Sequence, residues 1–267
     1  MNEVFKPVKS KLNRVLTQIS ELESSMHDFN SKNLISVDCI LNEGRLGYKL
    51  VQSSMPENIP INEWDTQFGE CIHNLRSSLD NFAFALARLK EDPPLRQKSI
   101  CFPIYTKKEE FINNGRRNID QLPSDASELI EKLQPFNRDG SEEFGRPEDD
   151  PLVILTELYN SDKHRIPSVV LITPTQIGQE VCVKFYTEED ASANIPPNAT
   201  VWVGPLKPGA VLFEYKTTAP IESVEGKYDF EAVVGIQYKE QYLHIIPLLK
   251  QLHYYVNLVF SQFYKFF

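Results

Sequence analysis

The sequence predicts an α+β fold, because the spacing of its apolar residues changes from a helical to a strand-like period near residue 167. Before that point apolar residues recur every three or four positions, as on one face of an amphipathic helix. After it, short runs rich in β-branched and aromatic residues alternate with loops that contain glycine and proline. We expect one domain over residues 1–267, with a helical half at about 1–166 and a β-rich half with a closing helix at about 167–267.

The beginning of the chain predicts a long helix followed by a β-hairpin. The helix runs from Val4 to about Asp28 and carries a stripe of valine, leucine and isoleucine between charged residues. Two alternating runs, 34–41 and 45–51, flank the Asn-Glu-Gly sequence at 42–44, which is typical of a hairpin turn. We expect the first helix, like the last one, to bury its apolar stripe against the middle of the chain.

The central helix is predicted over Trp64 to Arg88, with the sequence WDTQFGECIHNLRSSLDNFAFALAR. At about 100° per residue, its large apolar side chains fall on one stripe, which suits a buried core. The opposite stripe collects the polar residues of its HNLRSSLDN segment, and these are His73, Arg76, Ser77, Asp80 and Asn81.

This polar stripe offers the groups that a catalytic or binding site needs. Arg76 could hold a phosphate or carboxylate in a bidentate manner, and His73 could act as an acid or a base near neutral pH. The structural alternative is a simple pair between Arg76 and Asp80, four residues apart on an exposed helix face and worth ~0.3 to 0.5 kcal/mol. The sequence leaves both interpretations open.

A second polar cluster, NSDKHR, ends a later helix. Pro151 starts that helix, as proline at the first helical position does, and the helix stops before Pro167. The negative end of the helix dipole accounts for the three cations of the cluster but not for Asn160 and Asp162. We predict that NSDKHR and HNLRSSLDN meet at one site. The catalytic candidates are His73, Arg76 and His164, and the binding candidates are Ser77, Asp80, Asn81, Asn160, Asp162, Lys163 and Arg165.

The rest of the chain predicts a loop, a sheet and a closing helix. From Arg138 to Asp150 the chain is acidic and nearly free of apolar residues, which is typical of an exposed, mobile loop. The tail from Gln241 to Phe267 predicts a very apolar helix that is either buried or forms a homodimer contact. The β-rich half predicts an antiparallel sheet of about five strands, at 168–173, 180–186, 200–203, 211–217 and 228–238.

Composition predicts a cytoplasmic protein without a membrane segment. The net charge of -9 argues against a protein that coats nucleic acid, although contacts to a few phosphates stay open. The four cysteines form no CxxC pair, which favours buried free thiols in a reducing cytosol. We see no signal peptide and no run near the ~18 apolar residues of a membrane span. Histidine spacing predicts no metal site, and nucleotide-cofactor motifs are missing, so we expect no cofactor.

Four motifs together resemble an uncharacterised family of bacterial and phage-associated proteins. Its members show a helix close to IHNLRSALDHLA, then FPI, then LQPY, then a DKHR helix and a β-rich region. The resemblance covers about residues 64–166. The matching motifs are IHNLRSSLDNFAFAL at 72–86, FPI at 102–104, LQPF at 133–136 and LYNSDKHR at 158–165.

The RSALDH pattern of those relatives is similar to the arginine, polar residue and histidine pattern of HEPN domains, which include metal-independent ribonucleases and nucleotide-binding proteins. In this chain Arg76 takes the arginine position, Ser77 the polar position and Asn81 the histidine position. Asn81 cannot transfer a proton as imidazole does, so His73 or His164 would have to replace it. The resemblance implies a HEPN-like RNA- or nucleotide-processing protein that acts in phage conflict. The alternative is a non-catalytic anion- or protein-binding protein whose polar motifs are structural.

Overall fold

The fold is α+β, as the sequence predicts. The computed structural model describes residues 3–33, 35–141, 145–163, 169–172, 181–195, 198–202, 204–225, 228–231 and 233–266. The helices are α1 (Lys6–Asn30), α2 (Ile61–Arg88), α3 (Lys108–Glu110), α4 (Ser124–Lys132), α5 (Pro151–Lys163), α6 (Glu188–Ala193) and α7 (Ile245–Ser261). The strands are β1 (Ile35–Leu41), β2 (Gly47–Gln52), β3 (Val169–Ile172), β4 (Cys182–Phe185), β5 (Asn198–Val201), β6 (Val211–Lys216), β7 (Ile221–Glu225), β8 (Tyr228–Phe230), β9 (Val233–Tyr238) and β10 (Gln241–His244).

The chain divides into two compact units. Unit 1 combines Met1–Glu23, Glu63–Pro167 and Ile246–Phe267, and unit 2 combines Ser24–Asn62 and Ser168–Ile245. Each unit is therefore assembled from segments that are distant in the sequence. The expectation of one domain over the whole chain stays a prediction.

The apolar face of α2 forms the centre of unit 1. Its predicted stripe is fully buried at Ile72 and Leu86 and at the large apolar residues between them. The ring of Phe82 lies 5.6 Å from that of Phe5 and 4.4 Å from that of Phe260, measured between centroids. Since aromatic pairs at these distances add to the burial energy, Phe82 joins α2 to α7 and to the residue that directly precedes α1.

The described residues of unit 2 form three antiparallel sheets. The predicted hairpin is formed by β1 and β2, which lie inside a five-stranded sheet of order β5-β6-β2-β1-β8. A three-stranded sheet has the order β10-β9-β3, and a two-stranded sheet pairs β4 with β7. The strands of the β-rich half are thus spread over three sheets, and the hairpin strands belong to the largest one.

Three details of the β-rich half differ from the sequence prediction. The run predicted at 228–238 is divided into β8 and β9, and the sequence did not predict β7. Gln241–His244 forms β10 instead of starting the last helix, because it pairs with β9 across a tight turn in which Lys239 adopts a φ of 55°. That turn has no glycine, so the usual hairpin signal is missing from the sequence.

The segment from Arg138 to Asp150 is not an exposed loop at its two ends. Arg138 Nε donates to Asp150 Oδ2 at 2.5 Å, and the carboxylate is only 3% exposed. Arg138 also donates to the hydroxyl of Tyr255 at 3.0 Å, while Asp150 Oδ1 accepts from the amide of Leu152 at 2.8 Å. A buried carboxylate needs such partners, so this pair joins the start of α5 to α7. Residues 142–144 lie outside the described residues.

In the part of the chain that the structure describes, no helix has both the length and the apolar character needed to cross a membrane. The cysteines are all free, and their exposure varies. Cys71 is buried, and Cys39 and Cys101 are half-buried. The expectation of four buried thiols is wrong for Cys182, which is exposed because alternate residues of β4 face outward.

Candidate functional site

Arg76 and Asp80 lie at the centre of the polar face of α2, where they bind the backbone of the FPI motif. Arg76 Nη1 donates to Asp80 Oδ1 at 2.6 Å, and Arg76 Nη2 donates to the carbonyl oxygen of Phe102 at 3.0 Å. The amide of Phe102 donates to the same Asp80 Oδ1 at 3.0 Å. The two side chains are 12% and 36% exposed. Two guanidinium nitrogens are therefore already bonded within the protein, and the pair is not the simple exposed pair of the structural alternative.

Gln134 of the LQPF motif binds the same segment further along. Its side chain is 2% exposed, accepts from the amide of Tyr105 at 3.1 Å and donates to the carbonyl of Pro103 at 2.8 Å. The amide of Phe136 donates to the carbonyl of Tyr105 at 3.2 Å. Because this segment is neither helix nor strand, these bonds replace those of secondary structure.

We call Phe102–Tyr105 the clamped segment, and Arg76, Asp80 and Gln134 the clamp. The clamp gives a structural reason for three of the four motifs that occur together in the sequence. HNLRSSLDN supplies the ion pair, FPI supplies the backbone groups, and LQPF supplies the amide side chain. Buried polar groups of this kind are costly to leave unpaired, so each of the three motifs depends on the others.

His73 lies on the same face of α2, but its side chain is exposed. Its ring centroid is 5.8 Å from that of Tyr159, with an angle of 46° between the rings. Tyr159 immediately precedes the NSDKHR cluster on α5, so the two helices that carry the predicted site residues are neighbours. Asn160 is exposed. The side chains of Asp162 and Lys163, and all of His164 and Arg165, lie outside the described residues, and their roles stay predictions.

Ser77 receives a bond that the sequence did not predict. Lys11 of α1 donates from Nζ to Ser77 Oγ at 2.8 Å, and Ser77 Oγ donates to the carbonyl of Asn74 at 3.3 Å. Lys11 adjoins the buried Leu12 in the sequence. Its place beside the apolar stripe of α1 is the sequence feature that could have indicated an inward-facing lysine side chain. Asn81 lies one turn beyond Ser77 and is half-buried.

Cys101 adjoins the clamp but is not an activated nucleophile. Burial is the main cause that raises the pKa of its thiol, and the carboxylate of Asp80 raises it further, while Arg76 and Arg117 oppose the shift. Burial also raises the pKa of Cys71, to about 12. Since thiolates are the reactive form, neither thiol suits nucleophilic catalysis near neutral pH.

The sequence identified the polar face and offered the pair between Arg76 and Asp80, which the structure contains, but it did not predict their contacts to Phe102. The bonds of Arg76 and Asp80 go to Phe102, which follows Arg76 by 26 residues and is visible only in the folded chain. The contact between Tyr159 and His73 joins two helices and could not be predicted from helical periodicity. His73 is thus the exposed acid-base group among the predicted catalytic residues that the structure describes.

Four motifs carry the resemblance to the phage-associated family, and one of them carries the similarity to HEPN domains. The structure describes these motifs apart from residues at the end of LYNSDKHR. Among the described residues, no cluster of three or more His, Cys, Asp or Glu side chains could hold a metal ion. No protein-family model, curated protein or solved structure matches this chain.

Proposed function

We propose that the protein is HEPN-like and that it binds and processes RNA or a nucleotide at the surface formed by His73, Tyr159 and the NSDKHR cluster. The contact between His73 and Tyr159 carries the proposal, because it sets an exposed imidazole beside the helix that leads into three cations. Lysine and arginine are the usual contacts to phosphate, and aromatic rings stack with unpaired bases.

Metal-independent cleavage of RNA requires a base and an acid. The base removes the proton of a 2′-hydroxyl while that oxygen attacks the adjacent phosphorus, and the acid gives a proton to the departing 5′-oxygen. The products are a cyclic phosphate and a free 5′-hydroxyl. His73 and His164 are the two proton-transfer candidates of the proposal, since Asn81 cannot serve. Arg76 becomes a positioning residue, because its guanidinium already holds Asp80 and Phe102.

The test uses a fluorescent single-stranded RNA and, separately, a nucleoside triphosphate. We expect His73→Ala and His164→Ala to abolish cleavage with the fold intact, and Lys163→Glu to weaken binding in a salt-dependent manner. His27→Ala is the matched control, since His27 is exposed on α1. Wild-type activity in both histidine variants, or no binding of either ligand to the wild type, would contradict the proposal.

The clamp favours a second candidate function, namely a non-catalytic protein that binds an anion or a protein partner while its polar motifs are structural. Arg76, Asp80 and Gln134 are engaged with backbone groups, so three of the four motifs that carry the resemblance are accounted for without a substrate. In this case RNA and nucleotides are bound but remain uncleaved, and His73→Ala lowers affinity alone. Analysis of the products by gel and mass spectrometry separates the two functions.

We also propose that the protein forms a homodimer through α7. Tyr254 and Leu258 are 69% and 43% exposed, and the sequence between Lys250 and Lys265 contains no charged residue if histidine is neutral. An uncharged helix face with large apolar side chains is typical of a protein interface. Light scattering should show a dimer that Leu258→Asp dissociates, while Tyr186→Asp, at a 59% exposed position in unit 2, leaves it intact. A wild-type monomer would refute this proposal.

We also propose that the protein lies in the bacterial cytoplasm and acts in phage conflict. The free cysteines of the described residues support a reducing compartment, and the motif resemblance supports the role in conflict. Expression in a bacterial host should place the protein in the cytosolic fraction and reduce phage plaque formation, and His73→Ala should restore plaque formation. Equal plaque numbers with wild-type protein and with empty vector would contradict a role in phage conflict.

A further inference from the structure

Helices α1 and α7 of unit 1 border a groove of about 360 Å³ that neither proposed function uses. Its apolar lining includes Val8 and Leu12, which are 3% and 7% exposed, and Phe260, which is 6% exposed. Leu16 extends the apolar lining toward solvent and is 48% exposed. Small-molecule sites usually have volumes of this size and are mostly apolar.

The groove extends along α1. Its lining begins at Phe5, directly before α1, and on the helix itself it runs from Val8 to Leu16. Eight residue steps at a rise of ~1.5 Å correspond to about 12 Å along the helix. The lining residues on α7 begin at His253 and end at Phe260. A lining that extends this far along one helix fits an extended chain better than a compact ring system.

The polar groups of the groove have one sign of charge. Lys9 is exposed on the α1 wall, and the lining contains no aspartate or glutamate. His253 faces the groove from α7, and burial lowers the pKa of its imidazole, although a bond to the backbone of Leu12 opposes this shift. Asn257 donates from Nδ2 to the carbonyl of His253 at 2.9 Å and so keeps this wall in place. The groove thus combines an apolar lining with a lysine that has no acidic neighbour in the lining.

We propose that this groove binds an elongated amphipathic acid, namely an aliphatic monocarboxylate of medium chain length. The alkyl chain lies along Val8, Leu12 and Phe260, and the carboxylate pairs with the ammonium group of Lys9. Burial of the methylene groups is favourable, so the alkyl chain supplies most of the affinity and Lys9 supplies the selectivity for an anion. This site is separate from the surface at His73, and the proposal does not depend on the RNA or nucleotide proposal.

The test is calorimetric titration of the full-length protein with three probes of equal chain length: decanoate, decanol and decyltrimethylammonium. We expect decanoate to bind more tightly than decyltrimethylammonium by about ten-fold or more, which corresponds to one charge-assisted contact. Lys9→Glu should remove this preference. The matched control Lys98→Glu makes the same change of charge at an exposed position elsewhere in unit 1 and should keep the preference. Both positions are exposed, so circular dichroism should show an unchanged fold.

Three results would overturn the proposal. Decanoate could fail to bind, or it could bind equally to the Lys9→Glu and Lys98→Glu variants. The third is occupation of the groove by a second copy of the chain. In that case Leu16→Asp would convert a dimer to a monomer, and decanoate would compete with dimer formation in light scattering. Decanoate binding that is lost in Leu16→Asp, without a change of oligomeric state, supports the site.

Discussion

Arg76 makes a tertiary contact that helical spacing does not predict. Helical spacing alone predicted both a phosphate-binding arginine and a pair with Asp80. The structure adds the carbonyl of Phe102 as a second partner beside Asp80 and leaves the arginine side chain 12% exposed. Hydrogen bonds to charged groups contribute more than neutral ones, so the loss of Arg76 affects stability before it affects ligand binding.

We predict that Arg76→Ala lowers the free energy of unfolding by about 1.5 to 3 kcal/mol, the usual contribution of a hydrogen bond to a charged group. Arg88→Ala is the control. Arg88 also pairs with an aspartate four residues later, Asp92, but that pair is exposed, so its loss should change stability little. Urea denaturation of the two variants measures the difference. Equal stability of both variants would show that Arg76 is not part of a clamp.

His253 predicts a dependence of stability on pH. Burial lowers the pKa of its imidazole in the folded protein, so the unfolded chain takes up the proton first as pH falls below about 6.5. The contribution of His253 to stability is therefore complete above that pH and is lost progressively below it. Between pH 7.5 and 5, His253→Gln should lose less stability than the wild type does. His27→Gln, at an exposed position, should lose as much as the wild type; identical curves for all three proteins would contradict this prediction.

The clamped segment, Phe102–Tyr105, depends on elements that are far apart in the sequence. Helices α1, α2 and α5 were predictable because each carries a long apolar stripe with a helical period. The clamp was not, because its bonds join α2 and the end of α4 to a segment without regular structure. The three motifs were visible as a group, but their mutual contacts required the folded chain. In unit 2, β10 escaped prediction for a local reason, namely a turn at Lys239 that lacks glycine.

Replacement of Gln134 tests the part of the clamp that binds Pro103 and Tyr105. Gln134→Ala should leave the amide of Tyr105 and the carbonyl of Pro103 without their partners, and each buried unpaired group costs about 1 to 3 kcal/mol. Gln97→Ala, at an exposed position, serves as the control and should stay within about 0.5 kcal/mol of the wild type. Thermal melts of both variants provide the comparison. A Gln134→Ala variant as stable as the wild type would show that Gln134 does not stabilise the clamped segment.

At the scale of the whole molecule, both candidate sites lie within unit 1. The surface at His73 uses α2 and α5, and the groove uses α1 and α7. The two units share helix α1, since Glu23 ends the first segment of unit 1 and Ser24 begins unit 2. Neither unit is a continuous piece of chain.

We predict one cooperative thermal transition for the full chain. Helix α1 belongs in part to unit 1 and in part to unit 2. Because a helix gains most of its stability from packing, unfolding of one unit would remove packing partners from one part of α1. The loss would weaken the rest of the helix and so the other unit. Differential scanning calorimetry should show one peak whose calorimetric and van't Hoff enthalpies agree. Two separable peaks would show that the units are independent domains.

Hydrogen exchange at two backbone amides tests the clamp most directly. The amide of Phe102 is bonded to Asp80, and the amide of Tyr105 is bonded to Gln134, although neither residue lies in a helix or a strand. We predict that both amides are protected in the wild type and that Asp80→Ala accelerates exchange at Phe102 far more than at Tyr105. Unprotected exchange of both amides in the wild type, or unchanged exchange at Phe102 in Asp80→Ala, would contradict the structural role assigned to Arg76 and Asp80.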